Sequence, residues 1–267
     1  MTVTWVIEPD VFPPAYERFA EAIVAAGHES VRWRDDWWAT GRWPRRDGAL
    51  IFHGSLGNAA QIRRELPWRP GAFCRVEAFH CSAYYPNAAR WLLHRQWHVL
   101  PAQTLVEDTA GALALIGETD SFFVRPDSPL KPFAGRVLRR EQTSLRALDH
   151  GIYFDEDSLP VVIAPVRRVE REWRYVVVNN AVVAGSQYLA DGRSALPDDS
   201  GGSPWRFAAE VAAGIESPES VYVMDICEAD GRLFLLELNP FSGADLYACD
   251  PGVIVERVSA VAAEMGG

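Results

Sequence analysis

The spacing of hydrophobic and polar positions divides the chain into a short first part with alternating elements and a longer, strand-rich part. Segment 2–7 is apolar and strand-like, and apolar positions in 16–24 recur at helical spacing before Gly27 ends the helix. Two further strands and a polar helix follow at 29–33, 49–53 and 58–66. This order predicts a small α/β domain, which we assign to residues 1–87.

A different pattern begins near residue 88, where strands follow one another in close order. Helices are predicted at 87–93 and near 110–116. The predicted strands lie at 121–124, 136–140, 161–166, 172–179, 181–188, 221–227 and 233–239. Asn179-Asn180 and Asp230-Gly231 are typical of tight turns between antiparallel strands. We divide this part into two predicted domains, 88–165 and 166–267.

Composition and charge restrict the class of protein. With 267 residues, 48% of them hydrophobic, the chain can bury a substantial core. A net charge of −10 argues against binding to nucleic acid or an anionic membrane. No apolar run approaches the roughly 20 residues that cross a bilayer, and no secretion signal precedes the first strand. The four cysteines form no CxxC pair, so we expect a cytoplasmic protein with free, buried thiols.

Aromatic and histidine residues concentrate in the first hundred positions. Trp37, Trp38 and Trp43 could line a ligand surface, although tryptophans more commonly belong to a core or to a contact between domains. His94 and His98 have the four-residue spacing of metal ligands on a helix. No acidic residue completes a metal motif with them, so we interpret both histidines as structural.

The last predicted hairpin carries polar residues within apolar strands. If its strands pair symmetrically about Gly231, Asp225 lies opposite Glu237, with their Cβ atoms about 5 Å apart. Because strand side chains alternate, Asn239 shares the face of Glu237, whereas Leu236 and Leu238 face the other way. Two carboxylates and an amide are therefore expected to converge.

Two interpretations of this convergence stay open. A divalent cation would relieve the repulsion between buried carboxylates, and hard oxygen ligands favour magnesium or manganese over zinc. Alternatively, Asp225 and Glu237 pair with buried arginines, or a shift of register turns one of them to solvent. Under the first interpretation, exchanging both carboxylates for amides should leave the fold intact.

The chain contains one lysine, Lys131, among 26 basic residues. Arginine therefore serves almost everywhere that a positive charge is needed. Lysine provides a compact ammonium on a flexible stem, which suits contact with phosphate, whereas arginine provides a planar fork. Lys131 is thus a candidate phosphate ligand, or else a lysine that persists by chance.

Several of these segments together resemble the ATP-grasp superfamily. The motifs are Phe123-Val124-Arg125-Pro126 followed by Lys131, then Glu172-Trp173-Arg174, and Asp225 twelve residues before Glu237-Leu238-Asn239. They are most similar to the clade named for two arginines and a lysine in its nucleotide site, over residues 88 to 260. The resemblance implies an α+β ATP-grasp fold, in which two α+β subdomains sandwich ATP, preceded by the small α/β domain.

The resemblance also implies roles for individual residues. Arg125 and Lys131 would neutralise the α- and β-phosphates, while Arg174 would act with Lys131 in catalysis by reaching the γ-phosphate. The other residues expected to bind ATP are Ile163, Ala164 and Glu172, the first two through the backbone of a hinge beside adenine. The metal ligands for Mg²⁺, or Mn²⁺, would be Asp225, Glu237 and Asn239. The candidates to meet the acceptor substrate, chosen by location, are Ser242, Gly243, Asp245 and Tyr247.

The activity that the resemblance implies is ADP-forming ligation. ATP would phosphorylate a carboxylate of a small molecule or peptide, and an amine or a thiol would then attack the acyl-phosphate. A lid at 191–203 would assist in excluding water. A nucleotide-binding module without ligase activity and a small-molecule kinase are the competing classes.

Overall fold

The computed structural model describes residues 1–44, 48–149, 158–188, 195–197 and 201–266. The strands in this part of the chain are β1 Thr4–Ile7, β2 Glu29–Arg32, β3 Leu50–His53, β4 Pro70–Gly71, β5 His98–Pro101, β6 Ser121–Pro126, β7 Arg136–Arg139, β8 Pro160–Pro165, β9 Arg171–Val178, β10 Ala181–Tyr188, β11 Ala195–Pro197, β12 Val221–Ala229 and β13 Arg232–Pro240. The α-helices are α1 Pro13–Ala25, α2 Trp37–Thr40, α3 Leu56–Glu65, α4 Cys81–Ala88, α5 Ala102–Glu107, α6 Thr109–Ala114, α7 Leu145–Asp149, α8 Ser203–Gly214 and α9 Pro251–Gly266. Short 3₁₀ helices lie at Val76–Phe79, Arg140–Gln142 and Phe241–Gly243.

The first sheet is parallel, with strand order β2-β1-β3-β4. Helix α3 follows β3 directly, and its N-cap Ser55 accepts a hydrogen bond from the Asn58 amide. Trp37 and Trp38 pack edge to face on Trp33, Trp43 packs on it at a tilt, and Trp37 is 6% exposed. They therefore belong to the core of the first sheet, with Trp38 and Trp43 packed against it.

The second sheet is antiparallel, with order β5-β8-β6-β7. Strand β8 lies inside this sheet, hydrogen-bonded to β5 on one side and to β6 on the other. Helices α5, α6 and α7 contribute to the hydrophobic core on one face, together with Phe122 and Val124 of β6. The alternate residues of β6, Phe123 and Arg125, consequently face the other way.

The third sheet is antiparallel, with order β11-β10-β9-β12-β13. Both predicted turns are present, since Asn179 and Asn180 have φ values of 46° and 64°, and Asp230 and Gly231 have 51° and 66°. One face of the sheet packs on α4 and α8. The other packs partly on α9 and the first sheet, where Trp5 and Val176 share a core.

A β-bulge decides the register of the last hairpin. Near the turn, pairing is symmetric about the Asp230–Gly231 bond, as shown by Ile226 opposite Leu235. The next pair is Asp225 opposite Glu237, so Leu236 is the extra residue. The predicted opposition of the two carboxylates is therefore present. Leu236, however, lines the same cavity as Glu237 and does not share the opposite face with Leu238.

The predicted helix at 87–93 is wrong. Helix α4 ends at Ala88, and the following segment runs beside β13, where Leu235 donates to the Trp91 carbonyl at 2.7 Å and accepts from the Leu93 amide at 3.0 Å. Pairing with the bulged strand thus overrides the local helical pattern. This pairing fixes the position of His94, the next residue.

Three further expectations concern the cysteines, a membrane-spanning helix and the lid. All four cysteines are free and buried, as expected. No helix in the part of the chain that the structure describes is long and apolar enough to span a bilayer. Most of the segment expected to form a lid, 191–203, lies outside the described residues.

Candidate functional site

A cavity of about 330 Å³ lies between the second and third sheets. Its wall combines charged residues with aromatic and aliphatic ones. The residues that line it are Leu93, His94, Phe123, Arg125, Pro126, Lys131, Ala134, Gly135, Val137, Arg167, Val169, Glu172, Leu236 and Glu237. Four residues predicted to bind nucleotide or metal therefore meet here, because β6 and β13 bring Arg125 and Glu237 to facing positions.

Glu237 joins the two sheets through two cations. Its Oε2 accepts from Arg125 Nη1 at 2.8 Å, and its Oε1 accepts from Lys131 Nζ at 2.9 Å. Burial alone would raise the pKa of Glu237, but Lys131 and Arg125 hold that pKa well below its usual range. Lys131 itself has a φ of 48°, a left-handed backbone conformation that is costly for a residue with a side chain.

Arg174 and Asp225 form a second, deeper ion pair. Arg174 donates from Nε to Asp225 Oδ1 at 2.8 Å and from Nη2 to Oδ2 at 2.6 Å, a bidentate arrangement. Burial raises the pKa of Asp225, and the Arg174 guanidinium opposes that rise. Arg174 Nη1 donates to the Asp245 carbonyl at 2.9 Å, so the guanidinium is held from several sides.

Two stacked tyrosine rings lie beside the same guanidinium. Tyr188 and Tyr247 stack with centroids 4.5 Å apart, and Arg174 lies 5.8 Å and 5.0 Å from the two ring centroids. Glu172 is paired with Tyr188 in the sheet. Burial raises the pKa of Glu172, and a hydrogen bond from Tyr188 partly offsets the increase.

The donor atoms fit a divalent cation in type. Asn239 Nδ2 lies 3.4 Å from Asp225 Oδ2, so a carboxylate, a second carboxylate and an amide meet between β12 and β13. Each carboxylate, however, is already paired with a buried arginine, which is the alternative that the sequence left open. Among the described residues no group of three acidic, histidine or cysteine side chains converges on a metal site. The metal role of Asp225, Glu237 and Asn239 stays a prediction.

Ile163 and Ala164 lie in the middle of β8 and are fully buried. Ile163 pairs with His98 on one side and Val124 on the other. The connection between the second and third sheets is the following segment, 166–170, which precedes β9. A backbone contact from Ile163 or Ala164 to adenine stays a prediction, although Ile163 has strand neighbours on both edges.

The four predicted substrate residues fall into two pairs. Ser242 Oγ accepts from the Phe73 amide at 2.9 Å, and a Cβ on Gly243 would lie 2.5 Å from a Leu56 methyl carbon, so both positions pack against segments next to the first sheet. Asp245 and Tyr247 instead surround Arg174. The Tyr247 amide donates to Asp245 Oδ1 at 2.8 Å, which closes the turn at this left-handed residue. Contact of any of the four residues with a substrate stays a prediction.

His94 is a member of the cavity wall that the sequence did not indicate. Its ring is stacked on Phe123, with centroids 4.9 Å apart and an interplanar angle of 9°. The four-residue spacing between His94 and His98 suggested only a pair of metal ligands. His98, however, lies exposed on β5. The contact of His94 with the cavity depends on the pairing of 91–93 with β13, which local sequence does not show.

The cavity between two sheets, with its cationic and acidic wall, agrees with the ATP-grasp resemblance of the sequence motifs. A family model for the ATP-grasp domain, family 2 of the clade named for two arginines and a lysine, matches residues 102–256, which is more than half of the chain. The chain therefore belongs to this clade of the ATP-grasp superfamily, as the motifs predicted. No curated protein matches the sequence significantly.

Solved structures share the fold over nearly the whole chain. D-cycloserine synthetase DcsG matches with a TM-score of 0.62 and 15% identity, covering 98% of this chain and 100% of its own. The ATP-grasp ligase PsnB, in complex with precursor peptide PsnA2 and AMPPNP, matches with a TM-score of 0.59 and 14% identity, covering 98% and 97%. D-alanine–D-alanine ligase from Bacillus anthracis, in complex with ATP, matches with a TM-score of 0.59 and 11% identity, covering 100% and 97%. These similarities confirm the predicted α+β ATP-grasp fold.

Proposed function

We propose that this chain is an ADP-forming ligase that activates a carboxylate as an acyl-phosphate and transfers the acyl group to an amine. The supporting observation is the charged wall of the cavity, where Arg125, Lys131 and Glu237 meet between the two sheets. These side chains come from separate strands and loops, and the same residues carry the motifs of the clade to which the chain belongs. Preorganised cations at a cavity wall suit the binding and transfer of a phosphoryl group.

The balance of charge favours a nucleotide that arrives with a metal ion. Arg125, Lys131 and Arg167 face Glu172 and Glu237 around the cavity, which gives 3 − 2 = +1 when all are ionised. A triphosphate carries about four negative charges, which this wall alone does not neutralise. Magnesium would supply the missing positive charge beside the phosphates, and a PsnB structure contains both Mg and ADP. We therefore propose Asp225, Glu237 and Asn239 as magnesium ligands; manganese would suit the same oxygen atoms.

Binding of phosphate would redistribute the existing ion pairs. Lys131 has a side chain that is 38% exposed, whereas the side chain of Arg125 is 9% exposed. The lysine can therefore turn from Glu237 toward a phosphate with little rearrangement, and this movement frees a carboxylate oxygen. Arg174 does not line the cavity, so we assign it the positioning of Asp225 and of the turn at Asp245. This differs from the direct contact with the γ-phosphate that the resemblance implied.

The proposed reaction has two steps and needs no protein nucleophile. An oxygen of the substrate carboxylate attacks the γ-phosphorus, and the bond to the β-phosphate oxygen breaks to release ADP. The amine nitrogen then attacks the acyl carbon, loses a proton, and displaces inorganic phosphate. Burial raises the pKa of Cys74, Cys227 and Cys249 to about 12, so these thiols stay protonated and unreactive near neutral pH.

Two of the structural relatives differ in the kind of molecule that they are associated with. DcsG is a synthetase of a small molecule, and PsnB was solved with a precursor peptide. We propose a small-molecule or peptide carboxylate for this chain and an amine acceptor; a thiol would follow the same second step. The acidic chain and the absence of a long apolar helix among the described residues give no support to nucleic acid or membrane as partner.

Trapping the acyl-phosphate tests this proposal. The protein is incubated with Mg-ATP, hydroxylamine and a panel of amino acids and short peptides as carboxylates. We expect a hydroxamate to form in equal amount with ADP and phosphate for at least one carboxylate. A stable phosphorylated product without free phosphate would instead indicate a kinase. Tight Mg-ATP binding with no turnover across the panel would favour a nucleotide-binding module.

A further inference from the structure

One buried polar atom in the cavity wall is unsatisfied. His94 is 7% exposed, and its Nδ1 has no hydrogen-bond partner among the described residues. A buried polar atom without a partner is unfavourable, so such an atom on a residue that lines a ligand cavity suggests that the ligand supplies the partner.

The ring is held in one orientation by its surroundings. Phe123 stacks on one face, and the pairing of Leu93 with Leu235 fixes the backbone immediately before the histidine. The Pro165 carbonyl lies close to the imidazole and can accept a hydrogen bond from a ring N–H. In the tautomer that is protonated on Nε2, the lone pair of the unpartnered Nδ1 is a free acceptor.

The charge on the imidazole agrees with this tautomer. Burial, together with repulsion from the nearby Arg125 and Arg167, lowers the pKa of His94 to about 4. The ring is therefore neutral near neutral pH, so one ring nitrogen keeps a lone pair that accepts a hydrogen bond.

The position of His94 relative to the cations suits a nucleobase. Phe123 and Arg125 are two residues apart on β6 and therefore share a face, with a separation of roughly 6–7 Å along the strand. Phosphates bound at Arg125 and Lys131 would leave the rest of the nucleotide to extend along the cavity. At the Phe123 end the wall contains Val137 and Leu236, an apolar and aromatic surface that suits a planar base.

We propose that His94 selects the nucleobase, with Nδ1 accepting a hydrogen bond from the exocyclic amino group of adenine. The proposal rests on the proposed binding of Mg-ATP in this cavity. A purine without the amino group would leave Nδ1 unpaired, and a 6-oxo purine would place an oxygen lone pair against it. His94 is then a specificity residue that takes no part in phosphoryl transfer.

The test compares ATP with purine riboside 5′-triphosphate, which lacks only the 6-amino group. Affinities are measured by titration calorimetry with excess Mg²⁺. We expect the native protein to prefer ATP by about 5- to 100-fold, the value of one hydrogen bond to a buried acceptor. In His94→Phe, which keeps a stacked ring and removes the acceptor, the preference should fall close to one.

Two further variants separate recognition from a structural role. His94→Asn places an amide oxygen near the former Nδ1 and should retain a preference for ATP. His94→Gln extends the amide toward the former Nε2 position and should not. Because both variants carry a carboxamide, this comparison also gives an answer if His94→Phe does not fold.

The outcomes distinguish this inference from the proposed function. Equal binding of both triphosphates by the native protein overturns the role of His94 and leaves Mg-ATP binding intact. An unchanged preference in His94→Phe and His94→Gln overturns it as well. If neither triphosphate binds to the native protein, the proposed function fails, and the inference about His94 fails with it.

Discussion

Lys131 differs from the arginines of the site in how firmly it is held. The side chains of Arg125 and Arg174 are 9% and 10% exposed, and each is bound to a buried carboxylate. The Lys131 side chain is 38% exposed and contacts Glu237 from a loop. Its flexible stem can follow a phosphate, which a fixed arginine fork cannot do as readily. At the residue scale, the site therefore combines two fixed cations with one adjustable cation.

The variant Lys131→Arg tests this difference with the charge kept. The left-handed backbone at this position costs the same for both side chains, so a change in melting temperature is not expected. The bulkier guanidinium should misplace the charge, and a displacement of about 1 Å can lower turnover on the order of a hundredfold. Turnover is measured as ADP release and affinity by calorimetry.

The matched control for this variant is Arg139→Lys. Arg139 has a 69% exposed side chain on β7 and does not line the cavity. We expect that exchange to be silent in stability, affinity and turnover. Native turnover and affinity in Lys131→Arg would show that Lys131 is incidental.

Asp225→Asn should destabilise the protein, because it leaves the buried Arg174 guanidinium without its counter-charge. Loss of one partner of a buried ion pair costs about 3–5 kcal/mol. This reverses the expectation that amide substitutions at Asp225 and Glu237 would relieve repulsion, since each carboxylate is paired with a cation. The free energy of unfolding is measured by urea denaturation.

Asp230→Asn provides the comparison for that measurement. Asp230 forms an ion pair with Arg167, but its side chain is 74% exposed, and an exposed pair contributes about 0–1 kcal/mol. If Asp225→Asn lowers the free energy of unfolding no more than Asp230→Asn does, burial does not make the Asp225–Arg174 ion pair important for stability.

The β12–β13 hairpin shows which features of an element the sequence reveals. The turn was predictable because Asp230-Gly231 favours the positive φ values that it adopts. The bulge at Leu236 was not, because a run of apolar residues does not show which one is left unpaired. Symmetry about Gly231 nevertheless gave the correct partner for Asp225. Beyond the inserted Leu236, the centre of symmetry moves from the Asp230–Gly231 bond to Gly231 itself, which is the centre that the prediction assumed.

Close packing of the β6–β7 loop leads to a prediction at Gly135. A Cβ at this position would lie 2.8 Å from the Phe123 ring and 3.4 Å from Arg125 Cβ. Gly135→Ala should therefore displace the ring that stacks on His94 and weaken ATP binding by about tenfold, equivalent to roughly 1.4 kcal/mol. Affinity for ATP is measured by calorimetry.

Gly57→Ala is the control for the added methyl group. Gly57 lies in α3 with no atom within 4 Å of the new Cβ, and alanine favours helix by up to about 1 kcal/mol. It should leave ATP affinity unchanged and should not lower stability. Native affinity in Gly135→Ala would show that the loop can move away without affecting the site.

Contacts between distant segments determine the parts of the molecule that local sequence could not predict. Trp5 of the first sheet packs in one core with Val176 of the third sheet, although 171 positions separate them. The pairing of Leu93 with Leu235 replaced a predicted helix and brought His94 to the cavity. Local spacing and turns therefore predicted most strands and the charged residues, whereas the composition of the cavity wall required the assembled sheets.

At the scale of the whole molecule, burial of neutral histidine makes stability depend on pH. Burial lowers the pKa of His53 to about 4, below its unfolded value of about 6.5. The unfolded chain therefore gains a proton as pH falls below 6.5 and the folded protein does not, so stability is lost between these values. The loss from about pH 7 to about pH 5 should be on the order of 2 kcal/mol for this histidine.

His53→Gln should remove that contribution to the pH dependence, whatever its effect on stability at neutral pH. His98→Gln, at an exposed position, should retain it. Urea denaturation at both pH values provides the measurement. If the free energy of unfolding falls as much between the two pH values in His53→Gln as in the native protein, His53 does not titrate as its burial requires.

The central claim is that the cavity between the second and third sheets binds ATP together with magnesium. Isothermal titration of ATP into the protein, first with excess Mg²⁺ and then with EDTA, tests it most directly. We predict saturable binding that weakens strongly when the metal is removed, because the cavity wall carries too little positive charge for a free triphosphate. No binding of ATP or ADP at millimolar nucleotide and magnesium would contradict the claim.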